Sequence, residues 1–181
     1  MTKLKDELGR TMLEMLGVLA IMGVIVYGAI AGIQFGVDMY NISAAYNELE
    51  ELSQGITDLY SWNRIYPEPN KMGSAVASNN IIDSEYEDQG QFQGRFSGSH
   101  IKLGRTDDGA GFFIAYMGIP RAEYCSRLRY MDYAHLRVVD ENGKVKIGIG
   151  EGGVAETVEP DLIDGRYKTD CESGVLVLVS R

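Results

Sequence analysis

The chain has 181 residues, with 26 acidic against 17 basic side chains, a formal charge of −9. That balance, with a pI near 4.7, lacks the positive field a phosphate backbone demands, so nucleic acid is not an expected partner. Two cysteines and two histidines cannot build a zinc framework. No G-x-x-x-x-G-K-S/T loop or G-x-S-x-G elbow occurs, so no enzymatic activity and no cofactor are expected.

Read in chain order, the first feature is a run from Met15 to Val37, 23 residues without a charge. As a helix it spans roughly 35 Å, enough to cross the hydrocarbon of a bilayer. The flank before it, MTKLKDELGR, is short and mixed in charge, and no small-residue cleavage site follows Val37. Any cut is therefore expected before the apolar run. Glu14 stands at the mouth of that run. A bare carboxylate in hydrocarbon costs roughly 2.5–3.5 kcal/mol on insertion scales, so it is paired, functional, or reaching back to headgroup water. Gly28, Gly32 and Gly36 form a GxxxGxxxG ladder, with Gly17 and Gly23 upstream. That spacing lets helix backbones approach closely in apolar surroundings, although membrane helices also tolerate glycine without using it.

Beyond the run, Ile42, Tyr46, Leu49, Leu52, Ile56 and Leu59 recur at helical spacing. Asp38, Glu48, Glu50, Glu51 and Asp58 lie among them with no base, a pattern read as a solvated opposite face. The helix is expected to end near Trp62–Ile65, before Pro67 and Pro69. From Thr11 to Asn63 it would be roughly 80 Å long. A solitary helix of that length cannot bury its first half in its own small domain, and so needs lipid or other copies of itself.

Residues 64–181 read as a head of short strands and turns. Strands are expected at Gly111–Met117 and Ser173–Ser180, a hairpin of His135–Asp140 with Lys144–Ile149 around Asn142-Gly143, and a short helix after Pro120. Lys71–His100 reads as a long exposed connection. The fold class is α+β, a small antiparallel sheet packed on the second half of the long helix. If the head lies outside the cytoplasm, Cys125 and Cys171 form one disulfide; two buried thiols are the alternative. Gly148–Gly153 reads as a flexible turn, the acidic run Asp83–Asp88 as a solvated loop, and His100 and His135 have no nucleophile at motif spacing. Arg127, Arg129 and Arg137 form a local basic group.

The segment from Gly9 through Ile25, GRTMLEMLGVLAIMGVI, resembles the N-terminus of a type IV prepilin. That superfamily comprises type IV pilins and type II secretion pseudopilins. Its pattern is a leader ending in glycine, glutamate five residues into the mature chain, and an unbroken apolar run. The resemblance makes 1–9 the leader, Gly9 its last residue, Arg10 the first mature residue and Glu14 the fifth, with Gly23 at a position where glycine is usual. Arg10 stands where an N-methylated Phe or Met is common. No proline precedes Pro67, and Ile119-Pro120 leads into Cys125 and Leu128, which is closer to type IVb pilins. The implied organisation is a membrane and filament-core helix over 10–37, its amphipathic half over 38–63, and a pilin head over 64–181.

The implied function is a structural subunit, inserted in the inner membrane with an extracytoplasmic head and assembled into an extracellular filament for adhesion, motility or uptake. Glu14 would pair with the amine freed on Arg10 of an adjacent subunit, and the bridge between Cys125 and Cys171 would delimit an exterior region. Implied partners are copies of the chain, membrane lipid, a prepilin peptidase and an inner-membrane platform driven by a separate ATPase. A pseudopilin or minor pilin is the nearest alternative. A tethered binding or adhesion module that never polymerises is another.

Overall fold

Helix α1 runs from Lys3 to Tyr60 without interruption, so the apolar run and the amphipathic stretch are one element. The computed structural model describes residues 3–63, 65–142, 145–146, 155–156 and 167–180. The chain divides into two compact units, Met1–Tyr40 and Asn41–Arg181. The helix stops slightly earlier than the prolines require, because Ser61 and Trp62 already turn and Asn63 N–H closes on the Tyr60 carbonyl at 2.9 Å.

In the second unit the helical stripe does what its spacing demands. Ile42, Ala45, Leu49, Leu52 and Ile56 are buried in one core with Phe92, Ile101, Leu103, Phe112, Ile114, Tyr116, Leu176 and Leu178. Six strands form an antiparallel sheet in the order β1 (Tyr86–Asp88), β2 (Gln91–Gln93), β3 (His100–Arg105), β4 (Phe112–Met117), β8 (Leu176–Ser180), β5 (Arg137–Val138). Register explains its two faces. Ile114 opposes Leu178 and both enter the helix-side core. Phe113 opposes Val179, Ala115 opposes Val177, and these four join Val139 in a separate apolar cluster on the other face. Period-two alternation thus makes one sheet serve two apolar layers.

Three expectations need correction. The connection Lys71–His100 is not a long exposed loop. It contains most of helix α2 (Pro69–Ser78), the edge strand β1 and its neighbour β2, and the buried side chains Met72, Val76, Ile82 and Phe92. Proline at the start of α2 has no N–H to waste in a first turn. The acidic run Asp83–Asp88 is likewise partly strand, since Tyr86–Asp88 pairs with β2. Among the described residues the expected hairpin of His135–Asp140 with Lys144–Ile149 is not seen, and its residues 143–144 and 147–149 lie outside the described ones. β5 pairs with β8, while β6 (Val145–Lys146) pairs with β7 (Ala155–Glu156) in a separate two-stranded sheet. β8 is buried along its whole length. A strand so placed has to satisfy both edges, and that need outweighs a local turn signal. Of the expected turn Gly148–Gly153, every residue lies outside the described ones.

Helix α3 (Ala122–Arg129) follows Pro120 as expected and carries Cys125 and Leu128 into the core. Cys125 is bonded to Cys171, 46 positions later, with the Cα atoms 5.3 Å apart. This ties α3 to the turn that leads into β8.

Candidate membrane and assembly segment

Among the described residues one helix is long and apolar enough to cross a membrane by length and composition, and its apolar window is entirely unburied. Leu16, Leu19, Ile21, Val24, Ile25, Ile30, Ile33 and Phe35 are all exposed. Leaving such side chains in water forgoes roughly 1.5–3 kcal/mol each, and among the described residues no element covers them. A helix of this length and composition is compatible with a membrane anchor or a signal segment.

Glu14 is exposed within the same helix, one residue before the uncharged run. Gly9 and Arg10 lie in α1, five and four residues before Glu14. Gly23, Gly28, Gly32 and Gly36, like Gly17, have open space where a Cβ would point. Spaced four apart, Gly28, Gly32 and Gly36 share one helix face, a shallow strip on which another backbone can lie.

The amphipathic half grips the head through polar contacts that its acid count did not reveal. Two of the five acids are not a solvated face. Glu50 Oε1 accepts the Ala134 N–H at 2.8 Å, and Glu48 Oε1 accepts from the Ser84 hydroxyl. Tyr46 O–H donates to the Asp132 carbonyl at 2.6 Å, with its ring centroid 5.1 Å from that of Tyr133. Burial, then Glu50 and Asp132, push the Tyr46 phenol above its ordinary value, so it remains the donor. One turn of α1 therefore holds the stretch after α3, inside the segment closed by the disulfide. An acid four residues after a tyrosine was the only trace of this grip in the sequence; its partners are 84 and 86 positions away.

The basic group is consumed locally. Arg127 pairs with Glu123 at 2.9 Å and Arg129 with Glu141 at 2.8 Å. Arg137 donates to the carbonyls of Tyr133 and Leu136. His100 lies on β3 with Nδ1 3.2 Å from Glu87, far from His135 in sequence and element. Among the described residues no three His, Cys, Asp or Glu side chains converge as a metal site.

No protein-family model matches the chain, and neither a curated protein nor a solved structure does. What stands is a long N-terminal apolar helix, a small antiparallel sheet and one disulfide, an architecture compatible with a pilin-like fold.

Proposed function

We propose that the chain is a prepilin, cut after Gly9 and assembled through α1 into a helical surface filament as a structural subunit. The observation that carries the reading is the order of features along one helix. A glycine and a potential new terminus at Gly9-Arg10 are followed by a single acid, Glu14, and then by an uncharged run that nothing among the described residues covers.

The energetics follow from that order. In lipid, Glu14 sits at the headgroup boundary and reaches water. In a filament core the apolar side chains exchange lipid for neighbouring helices, and the carboxylate loses its water. Removing a counter-charge from a buried acid costs about 3–5 kcal/mol, so one axial register is favoured, the one that brings a cation to it. The amine freed on Arg10 of an adjacent subunit supplies that cation. Glycines at 28, 32 and 36 admit the close helix approach that dense packing needs. Polymerisation itself uses work from a separate ATPase acting through an inner-membrane platform, and a prepilin peptidase makes the cut.

Glu14→Ala tests the reading. The variant is expected to appear in membranes at wild-type level and to yield no sheared fibres. Fibres at wild-type abundance from Glu14→Ala would overturn it. A pseudopilin or minor pilin also loses assembly in this variant, but its wild-type protein is scarce among sheared fibres, whereas a major subunit dominates them.

A further inference from the structure

The chain between α2 and β1, residues 79–85, runs down the face of α1 and is fastened there at three points. Ile81 packs on Gly55, where a Cβ would run into its side chain. Ile82 is buried in the core. Ser84 donates to Glu48 Oε1. Gly55 and Glu48 are seven residues apart, two turns along one face of the helix. The apolar fastenings are ordinary; the polar one is not, because Glu48 Oε2 is buried and has no hydrogen-bond partner.

We propose that Glu48 is a protonation-governed latch for residues 79–85: the neutral carboxyl rests under Ser84, and ionisation, which puts charge on an unpartnered buried oxygen, releases the connection. The charged and titratable groups facing Glu48 come from its own helix and from two other places. Arg95, in the connection between β2 and β3, attracts it; Glu51, on α1, repels it; and Tyr116, on β4, feels its charge. Tyr116 is fully buried, and its phenol oxygen accepts the Arg95 N–H at 2.7 Å. Burial is the largest influence and pushes the Glu48 carboxyl above its ordinary value, against the pulls of Ser84 and Arg95.

The sign follows from linkage. An acid whose pKa is higher in the latched than in the released state favours the latched state below the released-state value. The latch therefore holds at acidic pH, weakens as pH rises above the ordinary glutamate value of 4.5, and stops weakening once pH passes the raised one. This device belongs to the head and is independent of whether the chain polymerises.

The test is amide hydrogen exchange of the full-length protein in detergent micelles, corrected for intrinsic rates. The reporters are Ile81 N–H, bonded to the Val76 carbonyl at 3.3 Å, and Gln93 N–H, bonded to the Glu85 carbonyl at 2.9 Å. Between about pH 4 and about pH 8, wild-type protection at both amides should fall by about tenfold for each unit separating the two pKa values. Glu48→Gln should be flat across that range, with protection held at its acidic level. Ser84→Ala, which removes the donor that favours the charged form, should move the fall to higher pH. A flat wild-type profile, or the same fall retained in Glu48→Gln, would overturn the proposal. A Ser84→Ala profile superimposed on wild type would overturn the part given to Ser84.

Discussion

Replacing both Cys125 and Cys171 with alanine opens a loop of 46 residues in the unfolded chain. The chain-entropy relation for a loop of that size gives about 4 kcal/mol near room temperature. Native contacts add little to the difference. Cys125 is fully buried and its sulfur lies 3.7 Å from the Val175 carbonyl, so alanine removes one atom from a packed site without stranding a donor. A domain of this size has roughly 5–15 kcal/mol in hand, so the loss takes about a quarter or more of the total. The assay is urea unfolding of the micelle-bound full chain, followed by near-ultraviolet circular dichroism. The buried rings of Tyr116, Tyr124 and Tyr133 report on the head alone, whereas far-ultraviolet signal would be dominated by α1. With a slope of about 1.5 kcal/mol per molar, the midpoint should fall by roughly 2.5 M. A fall below about 0.5 M would refute the reasoning, because the bridge would then not restrain the unfolded chain.

Two substitutions probe the head's packing by the same assay. Gly104 sits opposite Phe113 in the β3–β4 register, and a Cβ there would enter the Phe113 ring, itself held against Tyr167 at 4.8 Å between centroids. Gly104→Ala should therefore cost about 1–3 kcal/mol, and an unchanged midpoint would show that the ring has room to move. Ser53 is fully buried on α1, and its hydroxyl has no hydrogen-bond partner. Ser53→Ala should be neutral or raise stability by up to about 1 kcal/mol, and a loss beyond about 1 kcal/mol would mean the hydroxyl is satisfied after all.

The long helix and its two halves were readable because a 23-residue uncharged run and a stripe at Ile42, Leu49, Leu52 and Ile56 are long signals that no neighbour needs to complete. The strands β4 and β8 and helix α3 were readable for a related reason: continuous apolar runs and a proline start mark them locally. Helix α2 was hidden, since PNKMGSAVAS has only Met72 and Val76 as large apolar residues and otherwise looks like loop. The β1–β2 turn was hidden too, although Gln89 and Gly90, both at positive φ, are the residues of a tight hairpin. The pairing of β5 with β8 was not legible because strand partners are chosen by what a central strand leaves open, not by the nearest Asn-Gly. The Glu48–Ser84 and Tyr46–Asp132 contacts join residues 36 and 86 positions apart, and an acid bound for such a contact has the same sequence signature as one facing water.

For the segment meant to enter membrane or filament, the most direct measurement is the intact mass of protein extracted from membranes of cells that make fibres. The account predicts a chain lacking Met1–Gly9, beginning at Arg10, and two hydrogens lighter than its reduced form owing to the Cys125–Cys171 bridge. A mass that still includes those nine residues would contradict it, because Glu14 would then have no freed amine to meet.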